Sequence, residues 1–339
     1  MWLLFCDVAV GAALPFIISD FIFNSMKWQT FSIYSFSISS IVMDTATSKR
    51  PPSPIISAKE ALQLSLVDPN VRFIDGSWHL NKSRVAYQEY LDERIAGSQY
   101  FDIDAISDKS VDLPHMLPSE DVFQSACSEL GISNKDHVII FTKPGCFSAS
   151  RVWWTFKVFS HENVSIIDGG IGAWKDEGGP TETGLSNPPP PGNYCAKFNK
   201  NLVCSADEVL EVIKTGSAQI LDARSRARFV GEVPEPRPGL EGGHIPSSLN
   251  LPFGELLIDP DFNKFRSIDE IREKFKIAGI DPTVCSKVVM TCGSGVTAAV
   301  LALGLHLANG QRSLSESPIY DGSWSEWGSP DRPDLPKIK

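Results

Sequence analysis

Short apolar runs alternate with longer stretches of helical character along most of the chain. "HVIIF" (His137 to Phe141) and "KVVMT" (Lys287 to Thr291) are too short for helices and rich in β-branched residues, which predicts buried strands. "SASRVWWTFKVFS" and "GVTAAVLALGLHLA" predict helices, the second opening near Val296. Strands alternating with helices imply an α/β fold in which parallel sheets are flanked by helices on both faces. In the first of these helices Val152, Phe156 and Phe159, with Trp153 and Trp154, have the spacing of a core and interdomain stripe.

The pattern runs twice. "VRFIDGSWHL", "RIAGSQYFDID", the stretch from Asp136 to Phe159 and "VSIIDGGIGAWKDEG" are answered in order by "AQILDARSRARF", "GGHIPSSLNLPF", "SKVVMTCGSGVTAAVLALGL" and "SPIYDGSWSEWG". Asp75 answers Asp222, and the pair Asp168 and Trp174 answers Asp321 and Trp327 at the same offset. The two aspartates Asp168 and Asp321 are expected to close turns, and Trp78, Trp174, Trp324 and Trp327 to anchor helices or loops, with Trp324 also placed to line a site mouth. Four consecutive prolines, Pro188 to Pro191, predict a stiff extended connector. The expected division is residues 55–182, a linker over 183–200, and 201–333. Residues 1–54 stand apart as an extension: apolar but broken by Asp7, Pro15 and Asp20, then serine-rich and almost free of acid. A membrane anchor, an organellar targeting segment and a true start at Met43 all remain open for it.

Composition narrows the chemistry. The chain has 339 residues, room for two cores, and a net charge of −10, so no basic field invites nucleic acid or an anionic membrane surface. Any anionic ligand must be gripped by a few local arginines. The seven cysteines are scattered and form no C-x-x-C pair, so neither a disulfide framework nor a metal knuckle is indicated. No metal or cofactor is expected, and a reducing compartment, cytoplasmic or mitochondrial, follows.

One cysteine has a special address. Cys292 follows the strand "KVVMT" and precedes a helix, at the carboxyl end of a parallel strand where ligands bind in open α/β sheets. Gly293 and Gly295 allow a tight loop whose backbone N–H groups turn toward the sulfur, and the following helix start favours an anion there.

"CGSGVT", "DARSRARF", "PEPRPG", "GGHIP" and "YDGSWSEW" resemble the catalytic half of the two-domain rhodanese-type sulfurtransferases, and "SWHL", "FDIDAISD", "PHMLP" and "SRVWW" resemble their first half. The resemblance covers residues 56 to about 330 and implies tandem rhodanese-like domains. Thiosulfate enzymes of this kind typically carry Cys-Arg-Lys-Gly-Val-Thr, whereas 3-mercaptopyruvate enzymes carry the Cys-Gly-Ser-Gly-Val-Thr form found here. The difference is physical, because the thiosulfate dianion calls for cationic side chains inside the loop, and Gly293 and Ser294 supply none.

The resemblance further implies a set of roles. Cys292 would be the nucleophile, carrying a persulfide between a 3-mercaptopyruvate donor and a thiol acceptor such as thioredoxin or a small thiol. Arg228 and Arg237 would hold the donor's carboxylate and ketone, and the loop residues Gly293, Gly295, Val296 and Thr297 would cradle the sulfur. Ser294 would relay a proton, supported from the first domain by His115 and Asp104. Arg224 and Arg226 lie close by, yet the motif does not select them.

The chain departs from the family pattern in its first half, where Thr142, Lys143 and Pro144 follow the strand and Cys146 is expected to be an inert or regulatory thiol. Arg94 stands there where the second half has His244. A cysteine phosphatase would need an arginine six residues beyond the cysteine, and that position is Ala298. A thiosulfate sulfurtransferase, or a persulfide carrier or adaptor that delivers sulfur to a protein partner, remains the alternative.

Overall fold

The computed structural model describes residues 51–258, 261–284, 286–311 and 313–339. The readings of the first fifty residues lie outside that range. In the first half β1 (Ile55–Ile56), β2 (Val71–Asp75), β4 (Gln99–Tyr100), β5 (His137–Phe141) and β6 (Val164–Ile167) form a parallel sheet in the order β1-β6-β5-β2-β4. A small antiparallel pair, β3 (Arg94–Ile95) with β7 (Thr181–Glu182), is pinned by an Arg94–Glu182 ion pair at 3.0 Å. Helices α1 (Ala58–Val67), α2 (Ala86–Asp92), α3 (Glu120–Glu129), α4 (Ala149–Val158) and α5 (Gly170–Asp176) accompany the sheet.

The second half repeats this wiring. Its parallel sheet is built from β8 (Val203–Cys204), β9 (Gln219–Asp222), β10 (Ser248–Asn250), β11 (Val288–Thr291) and β12 (Ile319–Tyr320), in the order β8-β12-β11-β9-β10. Matched strand for strand, the two orders are the same. The helices here are α6 (Ala206–Thr215), α7 (Arg226–Phe229), α8 (Ile268–Ile277), α9 (Ala298–Ala308) and α10 (Ser323–Trp327). Local chemistry sets their ends: Ser205 and Glu208 form a capping box at the start of α6, and Gly216 closes it in the left-handed conformation that glycine adopts without strain.

Register makes the duplication quantitative. Asp75 pairs with Phe141 across β2 and β5, and Asp222 pairs with Thr291 across β9 and β11, so Thr142 and Cys292 occupy equivalent places just beyond their strands. The backbone bonds that follow also match: Gly76 N–H donates to Phe141 at 3.0 Å, and Ala223 N–H to Thr291 at 2.9 Å.

The halves meet through α4 and α9, which pack on each other. One apolar cluster contains Val152, Trp153 and Phe156 of α4, Val300, Leu301 and Leu303 of α9, and Cys292 itself. The stripe expected to serve core and interdomain packing does so, and each such side chain contributes roughly 1.5–3 kcal/mol by leaving water. The proline-rich segment is extended but not free. Gly192, Cys195, Phe198 and Asn199 all donate backbone N–H bonds to the first half, at 2.6–2.8 Å. Among the described residues no helix is long and apolar enough to cross a membrane.

Candidate active site

Cys292 sits one residue past β11, buried at 2% exposure. The strand delivers it there, and the turn beyond it is shaped by what the carbonyls do. Cys292 C=O accepts from Trp324 N–H at 3.0 Å, and Gly293 C=O accepts from the N–H and hydroxyl of Ser325 at 2.8 and 2.7 Å. Cys292 N–H donates to Ser323 Oγ at 3.3 Å. With its carbonyls anchored to α10, the loop leaves the N–H groups of Gly293, Ser294, Gly295, Val296 and Thr297 without an acceptor among the described residues. Successive free N–H groups in a turn make an anion cradle. The helix begins at Ala298 rather than Val296, because residues 295–297 are spent on the turn.

Both glycines are closely approached, and Gly295 is required by its backbone as well. Gly295 has φ +76°, and a Cβ there would lie 2.5 Å from Arg151 Nη1 and 3.0 Å from Asp321 Oδ1. A Cβ on Gly293 would lie 2.9 Å from Arg228 Nη2 and 3.8 Å from Arg237 Nη1. The two arginines selected in the sequence therefore converge on the backbone next to Cys292. Val296 turns its side chain into the apolar cluster, so only its backbone faces the loop.

Arg228, on α7, is fixed by Glu235: Nε donates to Oε1 at 3.2 Å and Nη2 to Oε2. Glu235 also accepts from Arg224 Nη1 at 2.8 Å, and Arg224 in turn grips Asp222 and the Gly243 carbonyl beneath the Trp324 ring. Arg224, which the motif passed over, is thus a fully buried strut. Trp324 is buried at 1% and donates from its indole N–H to the Glu241 carbonyl at 2.9 Å, the contacts expected of an anchor.

The first half contributes a second group. His115 Nδ1 lies 2.6 Å from Asp104 Oδ1, a contact that becomes an ion pair only when the imidazole is protonated. Trp78 donates from Nε1 to Asp104 Oδ2 at 2.8 Å and sets its ring edge-on to His115 at 4.7 Å. Burial pushes the His115 pKa down, with Arg151 and Arg237 adding to it, against the opposing pull of Asp104. Burial alone would raise Asp104, but the His115 and Trp78 contacts outweigh it and bring its carboxyl below the usual range. His115 Nε2 faces Arg237 Nη2 at 3.1 Å, and no hydrogen bond among the described residues joins it to Ser294. The histidine and aspartate thus reach the site, but they meet an arginine rather than the serine.

Sequence reasoning missed the residues that join the halves. Asp321 is no simple turn closer: its Oδ1 accepts from Arg151 Nη1 at 2.6 Å and its Oδ2 from Leu117 N–H at 2.8 Å, both across the interface. Asp168 likewise accepts from Phe265 N–H at 3.1 Å in the other half. Cys146 is fully buried, and burial pushes its thiol up to about 12.

A cleft of about 960 Å³ opens at this junction, lined by Asp104, His115, Arg237, Leu240 and Ser325. A larger one of about 1510 Å³ shares Ser107, Lys109 and Glu326 with it, but it contains none of the sequence-selected side chains. The molecule is therefore a duplicated α/β protein in which one buried cysteine opens a loop of unengaged N–H groups, two arginines lie over the next residue, and a histidine comes from the other half.

The rhodanese-like domain model matches residues 57–177 and again 205–330, and the chain belongs to that family. It is 40% identical over 271 residues to 3-mercaptopyruvate sulfurtransferase of Escherichia coli (strain K12), covering 79% of this chain and 92% of the relative. It is 35% identical over 335 residues to thiosulfate/3-mercaptopyruvate sulfurtransferase 1, mitochondrial, of Arabidopsis thaliana, covering 93% of this chain and 86% of that one. The crystal structure of SseA from Escherichia coli superposes with a TM-score of 0.71 at 35% identity, over 80% of this chain and 99% of the other.

Proposed function

We propose that the protein is a sulfurtransferase that takes sulfur from 3-mercaptopyruvate and passes it, as a Cys292 persulfide, to a thiol acceptor. The observation that carries the reading is Cys292 in a loop of unengaged N–H groups, with Arg228 and Arg237 set over Gly293. The Cys292 thiolate attacks the donor sulfur, an S–S bond forms, and the C–S bond breaks with its electron pair passing to the pyruvate enolate. A proton on that carbon then gives pyruvate. The loop N–H groups hold the persulfide anion and the arginines hold the carboxylate and ketone of the donor, in a geometry fixed before the reaction. Ser294, two residues from the nucleophile, is the proton donor in this reading, and Asp104 and His115 act beside it through Arg237, which His115 Nε2 faces at 3.1 Å. An acceptor thiolate such as that of thioredoxin attacks the outer sulfur, forms its own persulfide and releases the Cys292 thiolate. Residues 55–182 and 201–333 are the two domains in this scheme, and the relay crosses between them.

The test is pyruvate release and persulfide transfer by the purified protein with 3-mercaptopyruvate and, separately, thiosulfate. Strong preference for mercaptopyruvate, abolished in Cys292→Ser, is expected. A preference for thiosulfate would overturn the specificity reading, and an inactive wild type would leave the carrier reading in front.

A further inference from the structure

The site holds two arginines, yet the charge they present to a ligand is not two. Asp222, Arg224, Glu235 and Arg228 form one chain of ion pairs, with contacts of 2.7 Å from Arg224 to Asp222, 2.8 Å from Arg224 to Glu235, and a two-pronged contact from Arg228 to Glu235. Two guanidinium groups and two carboxylates cancel. Glu235 is central to the chain and nearly inaccessible, with 2% of its side chain exposed, so water does little to screen it. Arg237 forms no ion pair among the described residues, and its guanidinium faces the uncharged edge of the site, His115 Nε2. Of the two arginines over the loop, Arg237 is thus the one without an ion-pair partner among the described residues.

We propose that Glu235 sets the donor's charge class: by neutralising Arg228 it lowers the positive charge over the Cys292 loop by one unit, which costs a dianion about twice what it costs a monoanionic α-keto acid. This rests on the proposed sulfurtransferase reading and deepens it. It also supplies what the loop lacks as an explanation. Gly293 and Ser294 account for the absence of cations inside the loop, but they do not account for why two arginines above it would fail to attract a dianion.

Electrostatic interaction scales with ligand charge, so removing the Glu235 charge favours a dianion by twice the free energy that it favours a monoanion. In Glu235→Gln, the ratio of kcat/KM for thiosulfate to that for 3-mercaptopyruvate should rise on the order of tenfold, and the gain should shrink as salt is added. The gain should lie in KM rather than in kcat. Glu235→Asp keeps the charge and should keep the wild-type ratio. Because a ratio is independent of the fraction of active protein, partial misfolding does not disguise the result. An unchanged ratio in the glutamine variant, with both donors slowed alike, would show that Glu235 only orients Arg228, and would overturn the proposal.

Binding of inert anions gives a second measurement that needs no turnover. Sulfate and methanesulfonate share a tetrahedral head but carry two charges and one. Followed by calorimetry, the tightening from wild type to Glu235→Gln should be larger for sulfate than for methanesulfonate, and an equal change for both would overturn the charge argument. This comparison stands even if neither donor is turned over, so failure of the sulfurtransferase reading is distinguishable from failure of this one.

Discussion

Arg151 and Asp321 meet at 2.6 Å across the interface between the two halves, 170 positions apart in the chain and each almost wholly buried. The pair is more than a cross-link. Arg151 also donates to the carbonyl of His115 and, at 3.3 Å, to that of Gly295, while stacking on Trp154 at 4.7 Å. The histidine from one half and the cysteine loop of the other are thereby referenced to the same guanidinium. His115 has φ 61°, a backbone conformation that a side chain of its size rarely adopts, and the clamp on its carbonyl helps to hold it there.

Removing one partner should therefore harm both stability and catalysis. Asp321→Asn or Arg151→Met leaves an uncompensated buried group and is expected to destabilise by about 3–5 kcal/mol, measured by denaturant unfolding. The double variant Arg151→Met, Asp321→Leu should recover much of that stability, since apolar replacements of a buried pair are often neutral, but it should not recover sulfur transfer. Full recovery of turnover in the double variant would show that the pair has no positioning role.

The two halves treat one carboxylate position differently. Asp222 is gripped by Arg224, whereas Asp75, its counterpart, has only the backbone and hydroxyl of Ser77 on one oxygen and nothing on the other. Burial pushes Asp75 up to about 6, partly opposed by Ser77 and Lys143. Its folded pKa is thus raised, so folding takes up a proton as pH rises from about 4 to 6, and above that window the native state must carry a buried, poorly paired charge. Stability falls through the window and stays lower above it, by about 3 kcal/mol for a shift of about two units. Asp75→Asn should be more stable than wild type at pH 7–8, by up to that amount, and no different near pH 4. Equal stability of the two proteins across the whole range would rule this out.

Much of this architecture is legible in the sequence, for identifiable reasons. The β-branched runs "HVIIF" and "VVMT" lie in strands buried on both faces, so they carry a continuous apolar signal, and the duplication is visible because each half must build the same sheet. Cys292, Gly293 and Gly295 stand out because a tight loop restricts residue type. Asp321, Trp78 and Glu235 did not stand out in that way. Their roles come from partners brought together only by folding: Arg151 for Asp321, Asp104 for Trp78, and two arginines for Glu235. A lone aspartate before a Gly-Ser reads as a turn, and only the interface reveals the cation that it meets. The contact of His115 with Arg237 is of the same kind, because spacing alone cannot show that the two side chains meet at 3.1 Å.

Gly295 allows the clamp to be separated from simple backbone strain. Its φ of +76° nearly equals that of Gly310, which is +77°, but Gly310 has nothing within 4 Å of a would-be Cβ, whereas Gly295 has Arg151 Nη1 at 2.5 Å. Alanine at either position carries the same left-handed penalty, about 1–2 kcal/mol. Gly310→Ala should show that loss alone and leave sulfur transfer intact. Gly295→Ala must also push the Arg151 guanidinium away from Asp321, so its cost should exceed that of Gly310→Ala by about 2 kcal/mol or more, approaching that of breaking the buried pair. Because Arg151 also holds the His115 carbonyl, the same methyl group should lower kcat for mercaptopyruvate at least as much as it raises KM. Equal unfolding free energies for the two alanine variants would mean that the loop and the clamp move independently, and the coupling between the halves would then have to run through the α4–α9 packing instead.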